Sequence, residues 1–161
     1  MSVPQPIRIP CECFNFVIGK KPWVQKNNLI IMYKNWKNKT GAFIGHSKEM
    51  SHARDEISNV FFAQFREQGG RKPISYPVEL DFVFYVERAH EPDLDNLPAI
   101  VCDAMQGIRV KGARGMRVAS ILEDDKQVRY MAARKIVKGD INYVGEPRTE
   151  LTVRRYLGSR T

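Results

Sequence analysis

PVELDFVFYV, residues 77–86, is followed after four residues by EPDLDN, residues 91–96, and the two stretches differ in pattern. The even-numbered residues of the first stretch are all apolar, whereas Glu79 and Asp81 stand on the other side. Because side chains alternate between the two faces of a strand, this pattern predicts a half-buried β-strand. The second stretch then places acidic side chains between a strand and the next element, where functional residues commonly lie.

Amphipathic helices are predicted on both sides of this strand. The first covers residues 49–68, with Ser47 as its candidate cap and the glycine pair 69–70 at its end. Its apolar face carries Ala53, Ile57, Val60 and Phe61. The second covers about 96–106, with Asp95 or Asn96 as its cap and Gly107 at its end. Its apolar face carries Leu97, Ile100, Val101, Ala104 and Met105. Further strands are predicted around 127–137 and 150–157, and the length of 161 residues predicts a single domain over residues 1–161.

The chain is basic, with 26 lysines and arginines against 18 acidic residues and a net charge of +8. Such a balance favours a polyanionic partner, although mildly basic soluble proteins are common. No acidic residue lies between Glu12 and Glu49, where lysines alternate with aromatic residues. Lysines neutralise phosphates and aromatic faces can stack on bases, so this region predicts DNA contact; alternatively, half or more of the aromatics belong to the core. The candidate DNA-binding residues are Lys20, Lys21, Lys34, Lys37 and Arg109.

The three cysteines, Cys11, Cys13 and Cys102, form an odd and sparse set without zinc-ligand spacing. They indicate a reducing compartment, and we expect a cytoplasmic protein. No apolar run of 18 residues predicts a membrane span, and the N-terminus lacks the pattern of a signal peptide.

A second basic stretch, residues 107–122, has no acidic residue before Glu123 and carries four positive charges. These are Arg109, Lys111, Arg114 and Arg117. Its glycines at 107, 112 and 115 predict a mobile loop.

Six acidic residues fall within 33 positions of this basic chain: Asp93, Asp95, Asp103, Glu123, Asp124 and Asp125. Clustered carboxylates would repel a polyanion unless a cation lies between them, and Mg²⁺ prefers such hard oxygen ligands. Asp93 and Asp95 are two apart and can point the same way, while Asp125 would come from the start of the adjacent strand. We therefore predict these three as metal ligands.

Other residues near this group have less defined predicted roles. Asp124 is a candidate fourth ligand or a residue that positions water. Asn96 and Asp103 are candidates for contacting the ligands rather than the ion, and Asp103 could equally be a solvated residue. Taken singly, Asp95 could be only a helix cap and the pair 124–125 only a turn.

Three segments together carry a family resemblance: Asp93-Leu94-Asp95-Asn96-Leu97, Asp103-Ala104-Met105 and Asp124-Asp125-Lys126-Gln127-Val128. This pattern resembles the RusA family of Holliday-junction resolvases, and the match covers residues 78–137 well. The resemblance implies a homodimer of small α+β subunits, each with a mixed β-sheet and two main helices. It implies paired, symmetric nicking of four-way DNA junctions in recombination and repair, often in prophages. It also implies one or two Mg²⁺ ions, with Mn²⁺ as a substitute, and carries the family's essential aspartates onto Asp93, Asp95 and Asp125.

The chain departs from the family pattern at one catalytic position. The family usually has a lysine four residues after its second aspartate, where this chain has Ala99. A cation there would stabilise charge that develops on the phosphate. Candidates to replace it are Lys111, Arg114, Arg117 and Lys135. The alternatives are a catalytically impaired junction-binding protein, a Mg²⁺-dependent nuclease for other branched nucleic acids, or a structural interaction module.

Overall fold

The computed structural model describes residues 12–19, 29–36, 39–46, 48–87, 94 and 97–158. Within these ranges the chain forms, in order, β1 (Cys13–Ile18), β2 (Leu29–Trp36), β3 (Lys39–His46), α1 (Lys48–Glu67), β4 (Val78–Val86), α2 (Leu97–Met105), β5 (Ile108–Arg109), β6 (Arg117–Val118), β7 (Val128–Val137) and β8 (Arg148–Arg155). A 3₁₀ turn, Asp125–Gln127, precedes β7.

The main sheet has four strands in the order β1-β8-β4-β7. β4 pairs parallel with β7 and antiparallel with β8, and β8 pairs antiparallel with β1. The predicted α+β fold with a mixed sheet and two main helices is therefore confirmed. β2 and β3 form a separate antiparallel pair.

β4 is the centre of the core, as its alternating sequence predicts. Its even-numbered residues are all 0 or 1% exposed: Val78, Leu80, Phe82, Phe84 and Val86. Val83 on the opposite face is also buried, so the strand is covered more fully than its pattern predicts. Glu79 and Asp81 lie on that opposite face. There the guanidinium of Arg154 on β8 forms ion pairs with the carboxylates of Glu79 at 3.2 Å and Asp81 at 3.8 Å.

α1 packs one apolar face against the core, close to the predicted bounds. The buried residues recur every four positions: Ala53, Ile57, Phe61 and Phe65. The prediction for Val60 was wrong, because this residue lies at the edge of the stripe and is 37% exposed. α1 is the longer of the two helices, and neither described helix is long and apolar enough to cross a membrane.

α2 buries all five predicted apolar residues, and Pro98 sits in its first turn, where a missing N–H costs no hydrogen bond. The Met105 carbonyl oxygen accepts the N–H groups of Ile121 and Leu122 at 2.8 and 3.0 Å. These two hydrogen bonds fix the chain after the basic stretch to the last turn of α2. Asp125, which follows shortly after Leu122, therefore lies near the end of α2 and just before β7.

The basic stretch after α2 is not the simple mobile loop that its glycines predict. β5 and β6 pair as an antiparallel hairpin, with Ile108 opposite Val118 and Arg109 opposite Arg117. Strands of two residues are too short to show an alternating pattern, so the sequence did not indicate them. β8 also begins two residues before the predicted strand.

Candidate active site

A cleft of about 360 Å³ lies where α1, α2, the hairpin and the turn before β7 meet. It is lined by Arg54, Asp103, Gln106, Gly107, Arg109, Arg117 and Asp125. Two carboxylates and three guanidinium groups therefore share one small space. Such a mixture suits an anion and a cation bound side by side.

Asp125 is held in the cleft by the 3₁₀ turn that it begins. The side chain of Asp124 accepts the N–H of Lys126 at 2.9 Å, and the side chain of Gln127 accepts the N–H of Asp124 at 2.8 Å. These reciprocal hydrogen bonds form a capping box, which satisfies the backbone donors at the start of the turn. Asp125 itself is exposed, so its carboxylate can reach a ligand.

Asp124 acts as the cap of this turn and is not among the residues that line the cleft. The N–H of Lys126, followed by the hydrogen bond with Asp125, lowers the pKa of Asp124. The carboxylate is thus negatively charged at neutral pH. Its predicted role as a fourth metal ligand stays a prediction, while its capping role explains why an acidic residue stands there.

Asp103 reaches the same cleft from α2. The buried hydroxyl of Ser58 on α1 donates to the carbonyl oxygen of the next residue, Ala104, at 2.8 Å. This hydrogen bond fixes the last turn of α2 against α1, and with it the position of Asp103. The structure therefore brings Asp103 and Asp125 together, although they are separated by the whole hairpin in sequence.

Cys102 on α2 lies beside these two carboxylates. Burial raises the pKa of the Cys102 thiol to about 12, and the charges of Asp103 and Asp125 act in the same direction. The thiol is therefore neutral at physiological pH, and neutral thiols are poor nucleophiles and poor metal ligands. The ligand chemistry of the described cleft is that of oxygen.

The hairpin brings two arginines to the cleft. Arg109 and Arg117 lie directly opposite each other across β5 and β6. The guanidinium of Arg117 is 3.4 Å from the Gln106 carbonyl oxygen, and the Ser120 hydroxyl donates to the same oxygen at 2.9 Å. These contacts tie the base of the hairpin to the end of α2.

The other predicted cations lie elsewhere. Arg114 lines the concave side of the hairpin, and Lys111 is exposed in its turn. Lys135 is seven residues beyond Val128 along β7, which is about 23 Å at 3.3 Å per residue. It lines a separate depression with Tyr85 and Asp140. Among the four candidate replacements for the family lysine, only Arg117 lines the cleft with Asp125.

Several predicted residues lie outside the described residues: Asp93, Asp95, Asn96, Lys20, Lys21 and Lys37. Lys34 lies on β2. Within the described ranges, no group of three or more histidine, cysteine, aspartate or glutamate residues could hold a metal ion. The convergence of Asp93 and Asp95 on Asp125 therefore stays a prediction.

Sequence reasoning gave no role to Arg54, Ser58 and Gln127, although Gln127 belongs to the motif that carries the family resemblance. Arg54 lies on the polar side of a helix interpreted only through its apolar face, and Ser58 gave no signal. Gln127 was recognisable, because an acidic cap followed three residues later by glutamine is the pattern of a capping box.

The cleft combines two carboxylates with three arginines, and arginine side chains are well suited to bind phosphate groups. The model of the family described as Endodeoxyribonuclease RusA matches residues 32–154, most of the chain, and the chain belongs to this family. It is therefore an endodeoxyribonuclease, a hydrolase that acts on Holliday junctions in DNA recombination, and the resemblance seen in the sequence is confirmed. Resolvases of this type are generally metal-dependent. No curated protein matches the chain.

Proposed function

We propose that this chain is a Mg²⁺-dependent endonuclease that resolves four-way DNA junctions by paired, symmetric nicks during recombination and repair. The observation that carries the proposal is the cleft in which Asp103 and Asp125 face three arginines. Carboxylates alone would repel DNA, and arginines alone would only bind it. Together they suit cleavage of a phosphodiester.

The donor set of the cleft fits magnesium. Asp125 offers hard oxygen atoms, Cys102 is neutral, and Mg²⁺ binds one or two carboxylates along with water and phosphate oxygens. Asp93, Asp95 and Asp125 would hold one or two ions, with Asp124 as a possible fourth ligand and Mn²⁺ as a substitute. When bound, the ion lowers the pKa of water and stabilises negative charge on phosphate oxygens. Asp103 and Asn96 would contact the ligands and keep them in place.

The residues of the chain would then orient the scissile phosphate and the attacking water. A water oxygen forms a bond to phosphorus in line with the bridging oxygen whose bond breaks. The water loses a proton, and the leaving oxygen gains one. Arg117, which lines the cleft beside Asp125, would stabilise the charge that develops on the phosphate in place of the missing lysine at Ala99.

The surrounding basic surface would bind the arms of the junction. Arg109 lines the cleft, and Arg114 lines a depression of the hairpin that shares Arg109 and Arg117 with it, so these cations can neutralise phosphates that flank the cut. Lys20, Lys21, Lys34 and Lys37 would extend this surface. A second copy of the chain is needed because paired nicks require two active sites, and the described part of one chain holds one cleft with Asp125. We place this homodimer in the cytoplasm with its DNA substrate.

The proposal is tested by cleavage of a synthetic four-way junction with and without Mg²⁺. The native chain should produce two symmetric nicks only with the ion, and Asp95→Asn and Asp125→Asn should each lose nearly all of this cleavage. Glu146→Gln, an exposed residue in the turn before β8, is a control that should leave cleavage unchanged. Junction binding without cleavage under all metal conditions would identify a catalytically impaired protein. Equal cleavage of flaps or forks would identify a broader nuclease.

A further inference from the structure

Arg54 is a charged residue of the cleft for which neither the sequence motifs nor the family match indicates a role. It lies in the second turn of α1, and its side chain is 26% exposed. It lines the cleft with Asp103 and Asp125, although it comes from a different element than the hairpin arginines. We infer that Arg54 binds a non-bridging oxygen of the scissile phosphate and is a further catalytic residue of this endonuclease. The inference rests on the proposed function of the cleft.

Ser58 fixes the backbone of Arg54 relative to Asp103. The Ser58 side chain is fully buried, and its hydroxyl donates to the Ala104 carbonyl oxygen at 2.8 Å. The same hydroxyl lies 3.0 Å from the Arg54 carbonyl oxygen, one turn back on α1. One buried group thus joins the backbone of Arg54 to the residue next to Asp103. A residue held on two packed helices keeps its position better than one on a loop.

Asp55 orients the guanidinium of Arg54. The Nε and Nη2 atoms lie 3.3 and 3.0 Å from the Asp55 Oδ1 atom. A guanidinium has five N–H donors, so this contact with one oxygen leaves donors for a phosphate. Because the side chain is already oriented, less conformational entropy is lost when it binds the phosphate.

The hairpin side of the cleft argues for an anion close to Arg54. Arg54, Arg109 and Arg117 line the cleft together with Asp103 and Asp125, and Asp55 pairs with Arg54. Arg109 and Arg117 lie directly opposite each other, an arrangement that is unfavourable for like charges. A bound phosphate would relieve this repulsion, and arginine binds phosphate oxygens with two parallel hydrogen bonds. Arg54 would then bind the phosphate from α1, while Arg109 and Arg117 bind it from the hairpin.

The first experiment separates cleavage from binding. Arg54→Ala and Arg54→Lys are compared with Arg66→Ala, a control on the same helix whose exposed arginine donates to the Arg71 carbonyl oxygen. Single-turnover cleavage is measured at saturating enzyme and Mg²⁺, and junction affinity is measured without the ion. We expect Arg54→Ala to slow cleavage about 100-fold, as for loss of one charge-stabilising donor. Affinity should fall less than about 10-fold, since one phosphate contact among many is lost. Arg54→Lys should recover part of the rate, and Arg66→Ala should match the native chain.

The second experiment tests contact with the phosphate itself. A junction with a neutral methylphosphonate at the scissile position lacks the charged oxygen that Arg54 is inferred to bind. The native chain should lose much more of its rate on this junction than Arg54→Ala does, because the variant has already lost that contact. Equal losses in the two proteins would overturn the inference. If Arg54→Ala does not fold, the same comparison with Arg54→Lys decides the matter.

Failure of this inference can be distinguished from failure of the proposed function. If the native chain cuts the junction with Mg²⁺ and Asp125→Asn does not, the proposed function stands. If Arg54→Ala then cuts as fast as the native chain, only the role of Arg54 is refuted. If the native chain does not cut at all, the proposed function itself fails.

Discussion

The side-chain amide of Gln127 donates to the Ile74 carbonyl oxygen at 2.7 Å and to that of Tyr76 at 3.0 Å. Its oxygen accepts the N–H of Asp124. One side chain thus joins the turn that carries Asp125 to the segment before β4. The position of a candidate metal ligand therefore depends on a neutral residue that takes no part in the chemistry.

Replacing Gln127 with Glu should loosen this turn. The side chain keeps its size, but a carboxylate cannot donate to the two carbonyl oxygens and would repel them. We expect a loss of about 1–3 kcal/mol of unfolding free energy, measured in urea, together with slower cleavage by the folded protein. Gln68→Glu is the control. The side chain of Gln68 also donates to a backbone carbonyl oxygen, that of Asn15, and neither residue lines the cleft. It should destabilise without slowing cleavage. Native-like cleavage by Gln127→Glu would contradict the role of Gln127.

Gly107 is required where α2 meets the hairpin. It has φ +82°, and a Cβ there would lie 2.3 Å from the Val118 carbonyl oxygen. Gly112 has the same φ, but a Cβ there would meet nothing within 4 Å. Both alanine variants therefore carry the same backbone strain, of order 1 kcal/mol, and only Gly107→Ala adds a collision. Thermal unfolding should show a larger loss of stability for Gly107→Ala, and equal losses would count against the close approach.

The elements with long periodic patterns could be predicted from sequence, but the composition of the cleft could not. The alternation in β4 and the helical spacing in α2 each indicated the element and its buried face. The hairpin has strands of two residues, which no periodicity can show. Arg54 lies on the polar side of α1, where any charged residue is compatible with solvent. The contact between this side of the helix and the region of Asp103 is visible only in the folded structure. There Ser58 donates to the Ala104 carbonyl oxygen, and Arg54 and Asp103 line the same cleft.

Arg109 and Arg117 should contribute differently to junction binding and cleavage. A residue that only neutralises a phosphate weakens binding on all sequences and lowers the slope of log affinity against log salt by about 1. We expect this behaviour for Arg109→Ala in titrations at several salt concentrations. Arg117→Ala should slow cleavage more than it weakens binding. Lys138→Ala, an exposed cation just after β7, is the control. If Arg117→Ala affects only binding, Arg117 is not the replacement for the missing lysine.

The Cys102 thiol should make stability depend on alkaline pH. Its pKa is raised from 9.0 to about 12 in the folded chain, so the folded state retains a proton that the unfolded state loses. The stabilisation is complete below pH 9 and is lost as the pH rises toward 12. The difference in unfolding free energy between the native chain and Cys102→Ala should therefore shrink over this range. Cys13→Ala, at an exposed cysteine, is measured beside it as the control. A constant difference for Cys102→Ala would contradict the raised pKa of the thiol.

Asp124 and Asp125 are adjacent, and substituting each with asparagine should separate capping from metal binding. Asparagine is as good a cap as aspartate, so Asp124→Asn should keep the turn and most of the cleavage activity if capping is the main role of Asp124. Asp125→Asn keeps the shape of the side chain that lines the cleft but removes its charge, and cleavage should fall at least about 100-fold through loss of a metal ligand. Raising the Mg²⁺ concentration should restore part of the activity of Asp125→Asn if the defect is in ion affinity. Equal loss of cleavage in both variants, with both folded by circular dichroism, would instead assign Asp124 to the metal site as the fourth ligand.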